Sequence, residues 1–376
     1  MHNKPGHLGA RFFARTLLRL GFLIALTALL AGTGFVGTAA SETGVYDVRA
    51  YGARGDGVSN DSAAIQAAIN AASAVGGTVT VPAGTFAVNS TISLKSGVTV
   101  RGAGIDRTIL SMPNQSAPTN LLRGSGVNNV SIMDLSLSSP AASGFVFAIG
   151  LTNDYSNVTV ERVKVTGCQY ALKADTQGKN LTVRDFTARA SGQIYISNLT
   201  GGLFERLDLE MVTQKLTAVT FHAIYMGANN HNLTFRTINL TGGSGFTLQL
   251  YTDSGWTLPS DNISFDGLTV EGRWAVVIGS GFQGVTFRNV TAHASLADSP
   301  VFSLYDPRDV TVDGFAAAGG NALISARVAS PQVIRFQNGT YDGASLPSFP
   351  WLTTTNVRLG AASATTTTAP LNATAS

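Results

Sequence analysis

Residues 157–165 read NVTVERVKV, and variants of this nine-residue segment recur at intervals of 21 to 31 residues between Asn129 and Tyr341. The nine copies begin at Asn129, Asn157, Asn180, Gly201, Asn232, Asn262, Gly284, Asp309 and Val333. Each copy has a turn residue, an apolar–polar–apolar triplet, two polar residues and a second such triplet. This alternation predicts two short β-strands joined by a bend. The starting asparagines suit turns, and their amides can hydrogen-bond between neighbouring copies.

The regular spacing of the copies predicts how they pack. A repeat of this size is a unit that cannot bury its apolar side alone, so neighbouring units must stack. Strand-rich repeats of about 25 residues are typical of a parallel β-helix in which each repeat forms one coil. The ridged flank of such a solenoid is well suited to an extended polymer.

The composition fits one solenoid and argues against nucleic acid as a partner. Charged residues make up 12% of the chain, hydrophobic residues make up 44%, and there are 41 glycines. Few charges and many glycines are expected of a core buried along its whole length, with tight turns between coils. The net charge of +3 includes basic residues near the N-terminus, and the remaining Lys and Arg are scattered rather than clustered.

The two ends of the chain differ from the repeats. Arg11, Arg15 and Arg19 precede the apolar run 22–30 and small residues that end at Ala40. This order predicts a secretory signal peptide over residues 1–40 and a secreted protein; a membrane anchor is disfavoured because the apolar run is short. At the other end, residues 346–376 are predicted to be a disordered Ala- and Thr-rich tail.

The single cysteine, Cys168, leaves no partner for an internal disulfide, so the stacked core must supply the stability. We interpret Cys168 as a small buried group, because no histidine is close to it in sequence.

Residues 41–104 are predicted to form an N-terminal cap and the first coils, before the β-helix of residues 105–345. Asp61 or Ser59 can cap a helix with apolar residues at helical spacing. These apolar residues are Ala64, Ile65, Ala68, Ile69 and Ala72. Because a solenoid needs its first coil covered, we expect this helix to form the lid.

The same region carries a family resemblance. The run Tyr51-Gly-Ala-Arg-Gly-Asp-Gly57, with Asn60-Asp61, Ala64-Ile65-Gln66 and Pro82-Ala-Gly84, resembles the opening of the pectate lyase superfamily and its rhamnogalacturonase/epimerase-like members. The resemblance implies an all-β, right-handed parallel β-helix of about ten coils with an N-terminal capping helix. It also implies a polysaccharide lyase, hydrolase or C5-epimerase. Over residues 105–345 the resemblance is limited to the repeat pattern.

The catalytic motifs of that superfamily are missing. Its alginate epimerases carry Asp-Pro-His, whereas the closest segment here is Asp306-Pro-Arg308, without the histidine. Its galacturonase-type hydrolases carry Asn-Thr-Asp, Asp-Asp and Gly-His-Gly, and Thr152-Asn-Asp154 is only a rearranged version of the first. No catalytic residue is therefore carried over from the resemblance.

Stacking the strand before each repeat predicts a candidate site. Each of these strands has apolar residues that are expected to face inward, such as Leu172 and Ala174. The outward positions beside these inward residues in successive coils are then Lys173, Tyr195, Tyr225, Gln249, Val277 and Tyr305. Two positions further along, the outward residues are Asp175, Ser197, Gly227 and Tyr251. At about 4.8 Å per coil, the polar column from Lys173 to Gln249 is about 14 Å long. Tyrosine is also common on strands, so an ordinary stacked surface is the alternative interpretation.

Two long loops adjoin this column and are expected to wall a groove. Residues 211–221 carry Lys215, and residues 252–261 carry Asp253 and Trp256, a candidate platform for a sugar ring. His222 precedes the Tyr225 strand, and strand parity points it inward unless the strand begins after a bend at His222. A structural histidine and a catalytic one therefore both stay open.

These residues lead to a hypothesis of β-elimination on a uronic-acid polymer by a polysaccharide lyase. Lys173 and Gln249 would neutralise the substrate carboxylate, Tyr225 with His222 would move the C5 proton, and Tyr195 would be the acid. Tyr251, Trp256, Lys215, Asp175 and Asp253 are the further substrate-binding candidates.

Three alternatives remain. A glycoside hydrolase would need a carboxylate pair, for which Asp175 and Asp253 are candidates. A uronan C5-epimerase is chemically adjacent to a lyase, and a non-catalytic glycan-binding solenoid needs neither activity. No cofactor is evident from the sequence, and no zinc spacing is present, although Ca²⁺ could bind Asp175, Asp253 and Asp261. The expected partner is a polysaccharide, with no nucleic acid and no membrane after signal cleavage.

Overall fold

The computed structural model describes residues 44–113, 117–139, 146–190, 192–211, 222–242, 246–252, 258–327 and 333–360. The predicted signal peptide lies outside these residues, and no helix within them is long and apolar enough to span a bilayer. The first sheet contains β1 (Val45–Asp47), β2 (Asp56–Asn60), β3 (Thr78–Val81), β4 (Gly84–Ala87), β6 (Thr99–Gly102), β7 (Thr108–Ser111), β9 (Asn128–Ser138), β11 (Ser156–Thr166), β13 (Gly178–Ala190), β15 (Leu199–Met211), β17 (His231–Thr241), β19 (Ser260–Gly272), β21 (Phe282–Ala294), β23 (Arg308–Gly319), β25 (Ile334–Tyr341) and β26 (Leu352–Leu359). The second contains β5 (Ile92–Ser93), β8 (Thr119–Ser125), β10 (Val146–Thr152), β12 (Tyr170–Ala174), β14 (Gly192–Ile196), β16 (Ile224–Met226), β18 (Phe246–Leu250), β20 (Trp274–Ile278), β22 (Phe302–Tyr305) and β24 (Ile324–Arg327).

The two sheets form a parallel β-solenoid of about ten turns, which confirms the predicted all-β class. Strands β9, β11, β13 and their successors pair in parallel in chain order in the first sheet, and β8, β10, β12 and their successors do so in the second. From β8 to β25 each coil therefore contributes one strand to each sheet. The nine repeated segments coincide with β9, β11, β13, β15, β17, β19, β21, β23 and β25.

The predicted bend within each repeat is a residue in the left-handed conformation. Asn157 at the start of a repeat has φ 51°, and Arg162 in its middle also has φ 51°. The same mid-strand position has positive φ in Asp134, Arg162, Asp185, Arg206, Thr237, Gly267, Asn289, Gly314 and Asn338. The alternation of inward and outward side chains is reset at this residue, so the triplets on both sides of it bury their apolar members.

The charges of one column on the first sheet alternate in sign from coil to coil. The column runs through Glu161, Arg184, Glu205, Arg236, Asp266, Arg288 and Asp313, each in register with the next. Opposite charges on neighbouring strands favour pairing, whereas like charges directly opposite disfavour it. Exposed charge pairs add little stability each, so the alternation acts mainly on the register of the coils.

The interior is filled by stacked apolar side chains, of which a phenylalanine ladder is the largest element. Phe204, Phe235, Phe265 and Phe287 are almost completely buried and stack in successive coils. Their ring centroids are separated by 4.5, 4.5 and 4.9 Å. The ladder runs down the solenoid because the same inward position of the repeat is aromatic in four consecutive coils.

The helix predicted in the N-terminal region is α1 (Ser62–Ser73), and it buries Ile65, Ala68, Ile69 and Ala72. The predicted capping interaction is wrong, because the Asp61 side chain makes no cap hydrogen bond to the helix. Its carboxylate instead accepts hydrogen bonds from the backbone N–H groups of Arg54 at 2.7 Å and Gly55 at 3.1 Å. That α1 covers the end of the solenoid stays a prediction.

The start of the C-terminal tail has to be corrected. Residues 346–376 were expected to lack structure, but Leu352–Leu359 form β26, which pairs in parallel with β25 from Ile334 onward. Threonine-rich strands read as low complexity in the sequence, although β-branched residues suit a sheet. Residues 361–376 lie outside the described part of the chain.

The asparagine ladder yields a first prediction. Asn157 donates through Nδ2 to Asn129 Oδ1 at 3.1 Å, and its own Oδ1 accepts from Asn180 Nδ2 at 2.9 Å. Replacing Asn157 with alanine is expected to lower the free energy of unfolding by about 1–3 kcal/mol, because both bonds are lost and alanine disfavours positive φ. Glycine at the same position should cost less than alanine. Urea denaturation of both variants checks this, and equal losses would contradict the backbone argument.

Cys168 is buried at 0% exposure, as predicted, and burial raises the pKa of its thiol to about 12. At pH 8 only about one thiol in ten thousand would then be ionised. We expect no reaction of the folded protein with a thiol-specific reagent over hours, and one equivalent of modification in guanidinium chloride. Rapid labelling of the folded protein at Cys168 would show that the second sheet opens locally.

Candidate active site

The predicted outward column lies on the second sheet. Lys173 pairs in register with Tyr195, Tyr195 with Tyr225, and Tyr225 with Gln249. Val277 follows Gln249, as predicted, but the next residue is Ser303 and not Tyr305. The preceding coil has two inward apolar residues, Val276 and Ile278. Aligning Leu304 with Val276 would place Tyr305 next to Val277, but Leu304 pairs with Ile278, so Tyr305 lies two positions further along.

The column forms one wall of a cavity of about 400 Å³, called here the tyrosine cavity. It is lined by Tyr170, Tyr195, His222, Tyr225, Phe246, Gln249 and Tyr251. Five of these residues, Tyr195, His222, Tyr225, Gln249 and Tyr251, are sequence-predicted candidates. The structure thus brings half of the ten candidate residues together, and their roles remain predictions.

His222 faces this cavity, so the parity argument that turned it inward is wrong. Strand β16 begins only at Ile224, and Ala223 forms a bend before it. The bend is the condition under which the sequence allowed His222 to reach the groove. The imidazole is 8% exposed, and its centroid lies 5.1 Å from that of the Tyr225 ring and 5.8 Å from that of Phe246.

Aromatic contacts hold the tyrosines of the cavity in place. The rings of Tyr195 and Tyr225 stack at 5.3 Å with an interplanar angle of 14°. Tyr170 meets Tyr195 edge to face at 6.4 Å. Burial raises the pKa of the Tyr170 phenol above its usual value, so Tyr170 stays protonated at neutral pH. It can therefore donate a hydrogen bond there but is not suited to accept a proton.

Lys173 supplies positive charge at the N-terminal side of the cavity. Its Nζ lies 5.5 Å from the centroid of the Tyr195 ring and 5.7 Å from that of Phe147. Asp175 Oδ2 is 3.7 Å from the same nitrogen. Lys173 therefore neighbours Tyr195 and not Tyr225.

Gln249 contributes an amide at the C-terminal side of the column. The residue is 8% exposed, and its Oε1 is buried with no hydrogen-bond partner among the described residues. A buried amide oxygen without a partner is costly and marks a position where a ligand hydroxyl can bind. Because Gln249 pairs directly with Tyr225, such a ligand would also contact the phenol.

Within the described residues, the remaining candidates do not form a second constellation. Lys215, Asp253 and Trp256 lie outside the described residues. Asp175 contacts Lys173, whereas Asp261 Oδ1 is 2.8 Å from His231 Nδ1 at the start of β17. Within the described chain no group of three His, Cys, Asp or Glu residues could hold a metal ion. Asp175 and Asp261 belong to separate contacts, so the calcium and carboxylate-pair hypotheses depend on Asp253 and are not tested.

Sequence reasoning missed Tyr170 and Phe246, both of which line the cavity. They occupy the strand-entry position, where Tyr170 pairs with Gly192 and Phe246 with Trp274. By parity they share the inward direction of Leu172 and Leu248, but in the structure both line the cavity. An aromatic residue two positions before an inward leucine was the signal that could have found them.

The cavity can bind a sugar ring and move protons. Its aromatic faces suit the apolar face of a pyranose. Phenol and imidazole groups are suitable proton donors and acceptors, and Gln249 can hydrogen-bond a carboxylate or hydroxyl. No pair of carboxylates lines it, so the described site does not match the hydrolase arrangement.

Known proteins with similar sequences include mannuronan C5-epimerases and an alginate lyase. The chain is 35% identical over 193 residues to mannuronan C5-epimerase AlgE3 of Azotobacter vinelandii, covering 46% of this chain and 10% of that protein. It is 34% identical over 170 residues to alginate lyase 7 of the same organism, covering 39% and 20% respectively. The chain thus spans a small part of the length of these curated relatives.

The solved A-module of mannuronan C5-epimerase AlgE6 from Azotobacter vinelandii has the same fold, with a TM-score of 0.64 and 22% sequence identity. The superposition covers 85% of this chain and 100% of the A-module. The model of one family, described as rhamnogalacturonase A/epimerase, pectate lyase-like, matches residues 45–298. This match spans more than half of the sequence, and the chain therefore belongs to that family of pectate lyase-like β-solenoids.

Proposed function

We propose that this protein acts on a uronic-acid polymer and that its reaction begins with removal of the proton at C5 of a uronate residue. The observation that carries the proposal is the tyrosine cavity, in which Tyr225, His222 and Gln249 lie side by side. The relatives support it, because a mannuronan C5-epimerase and an alginate lyase both act on uronans.

The proposed first step uses neighbouring groups. Gln249 donates from Nε2 to the substrate carboxylate, whereas Lys173 lies three coils away, about 14 Å along the column, and is too distant for the same carboxylate. A base at Tyr225 or His222 takes the C5 proton, and the electron pair of the C5–H bond moves into the carboxylate. The amide stabilises the enolate that forms, where charge develops in the transition state.

Two outcomes can follow the enolate. In β-elimination the C4–O4 bond breaks, C4 and C5 become doubly bonded, and an acid such as Tyr195 protonates O4. In epimerisation a proton returns to the opposite face of C5. Tyr170, whose pKa is raised by burial, and Tyr195 are the candidate acids for either outcome. Elimination is the outcome expected from the sequence, and epimerisation is favoured by the epimerases among the relatives.

The decisive experiment follows both outcomes at once. The chain from Ser41 is incubated with polymannuronate, pectate and other uronans in deuterium oxide, with and without calcium. Loss of the C5 proton, read by nuclear magnetic resonance, reports the shared first step. Ultraviolet absorbance from the C4–C5 double bond then reports elimination, and inverted C5 without that absorbance reports epimerisation.

Other results would overturn the proposal. New reducing ends without a double bond would establish a hydrolase. No change in any polymer, together with binding, would establish a glycan-binding solenoid. Secretion is also proposed, on the signal-like residues 1–40, and an N-terminus at Ser41 in protein recovered from outside the cytoplasm would support it.

A further inference from the structure

The tyrosine cavity continues toward the C-terminal coils as an aromatic floor. Tyr251, which lines the cavity, meets Tyr305 edge to face with ring centroids 6.4 Å apart. Gly279 occupies the position between them, because Leu250, Ile278 and Leu304 are aligned in the preceding positions. A side chain at Gly279 would overlap the Tyr251 ring. The glycine therefore allows two tyrosines from alternate coils to form one continuous surface.

Two arginines flank the far end of this floor. Arg327 pairs in register with Tyr305 on the next coil, and Arg308 begins β23 three residues after Tyr305. Both arginines are exposed, and neither forms an ion pair in the part of the chain that the structure describes. By contrast, Arg335 on the first sheet contacts Asp309 at 3.0 Å. The arginines near Tyr305 are thus available to an anionic ligand.

A second cavity of about 290 Å³ adjoins Arg308. Gln283, the register neighbour of Arg308 on the preceding coil, lines it together with Asp306. Ser280 lines it too and accepts through its carbonyl from Thr252 Oγ1 at 2.8 Å, which ties the residue after Tyr251 to this cavity. The anion-binding groups here are the arginine and the Gln283 amide, since Asp306 would repel an anion.

We propose that Tyr305, Arg308 and Arg327 form a distal subsite for a second uronate residue of the bound polymer. The Tyr305 ring would carry the pyranose face, and the guanidinium groups would bind the carboxylate through paired hydrogen bonds. Tyr305 lies two coils from Tyr251, about 10 Å along the solenoid. The identity of the polymer rests on the proposed function, but the three residues lie beyond residue 298, where the family match ends.

The subsite makes binding depend on chain length. A short oligomer fills only the tyrosine cavity, whereas a longer one also reaches the arginines. Affinity should therefore rise with the number of uronate residues and then level off. Because the added contacts are charge-assisted and partly exposed, this increment should shrink at high salt.

Calorimetric titration of the full chain from Ser41 with oligomannuronates, from the disaccharide to the octasaccharide, tests the subsite. Arg308→Gln and Arg327→Gln should each weaken octasaccharide binding by about tenfold and leave disaccharide binding unchanged. Tyr305→Ala should weaken the octasaccharide as well, whereas Tyr305→Phe should not. Arg288→Gln makes the same charge change at an exposed site on the first sheet and should have no effect.

The outcomes separate the subsite from the reaction. Equal octasaccharide affinity in the parent and in both arginine variants would overturn the subsite, even if uronan turnover is observed. Failure of every oligomannuronate to bind would overturn it too. Length-dependent binding that Arg308→Gln and Arg327→Gln abolish would support the subsite even if the deuterium experiment detects no chemistry.

Discussion

The Tyr225→Phe variant is expected to lower kcat on its uronan substrate by about 100- to 10,000-fold, the range typical of losing a general acid or base. The substitution removes only the phenolic hydroxyl. The ring that stacks on Tyr195 at 5.3 Å and lies 5.1 Å from His222 is retained, so the cavity should keep its shape. KM should change by less than about threefold, because a hydrogen bond made mainly in the transition state does not affect ground-state binding.

Steady-state kinetics and loss of the C5 proton in deuterium oxide check this prediction. The matched control is Tyr51→Phe, which removes a hydroxyl from an exposed tyrosine that does not line the tyrosine cavity and should leave kcat unchanged. Tyr195→Phe tests the neighbouring acid, and a defect in product formation that spares deuterium exchange would assign it to the second step. An unchanged kcat in Tyr225→Phe would show that Tyr225 only packs, and His222 would become the candidate proton carrier.

The Phe235→Ala variant is expected to lower the free energy of unfolding by about 3–5 kcal/mol. Phe235 is fully buried and stacks on both Phe204 and Phe265 with centroid distances of 4.5 Å. Alanine would leave a cavity between two rings that belong to different coils. Those coils are tied by long parallel strand pairings, so the surrounding structure has little freedom to collapse into the space.

Urea denaturation followed by circular dichroism checks this value, with hydrogen exchange to locate the weakened coils, since a stacked-repeat protein need not unfold in one step. Phe235→Leu should cost clearly less than alanine, because leucine fills much of the volume. Val58→Ala is the control, since Val58 is 86% exposed and should change stability by less than about 0.5 kcal/mol. A loss below about 1 kcal/mol for Phe235→Ala would mean that the ladder does not hold adjacent coils together.

The candidate site divides into a part that the repeat period could predict and a part that it could not. Tyr195, Tyr225 and Gln249 could be aligned from sequence because each is flanked by inward apolar residues on a regular strand. The direction of His222 stayed open and Tyr305 was placed wrongly, because a bend before β16 and a shifted register in β22 do not change the apolar pattern. Lys215, Asp253 and Trp256 lie on loops outside the described residues.

The sequence by itself determined the solenoid, because its nine repeats place an apolar pair, a bend and a turn residue at the same points of each coil. That information is local and periodic, and only one way of stacking buries every apolar triplet. Which outward side chains share a cavity was decided by the tertiary structure. The contacts of His222 with Phe246, and of Tyr251 with Tyr305 across Gly279, join different coils. These contacts depend on bends and register shifts of one or two residues. Such local changes have a small effect on the free energy of folding and do not alter the repeating apolar pattern of the sequence.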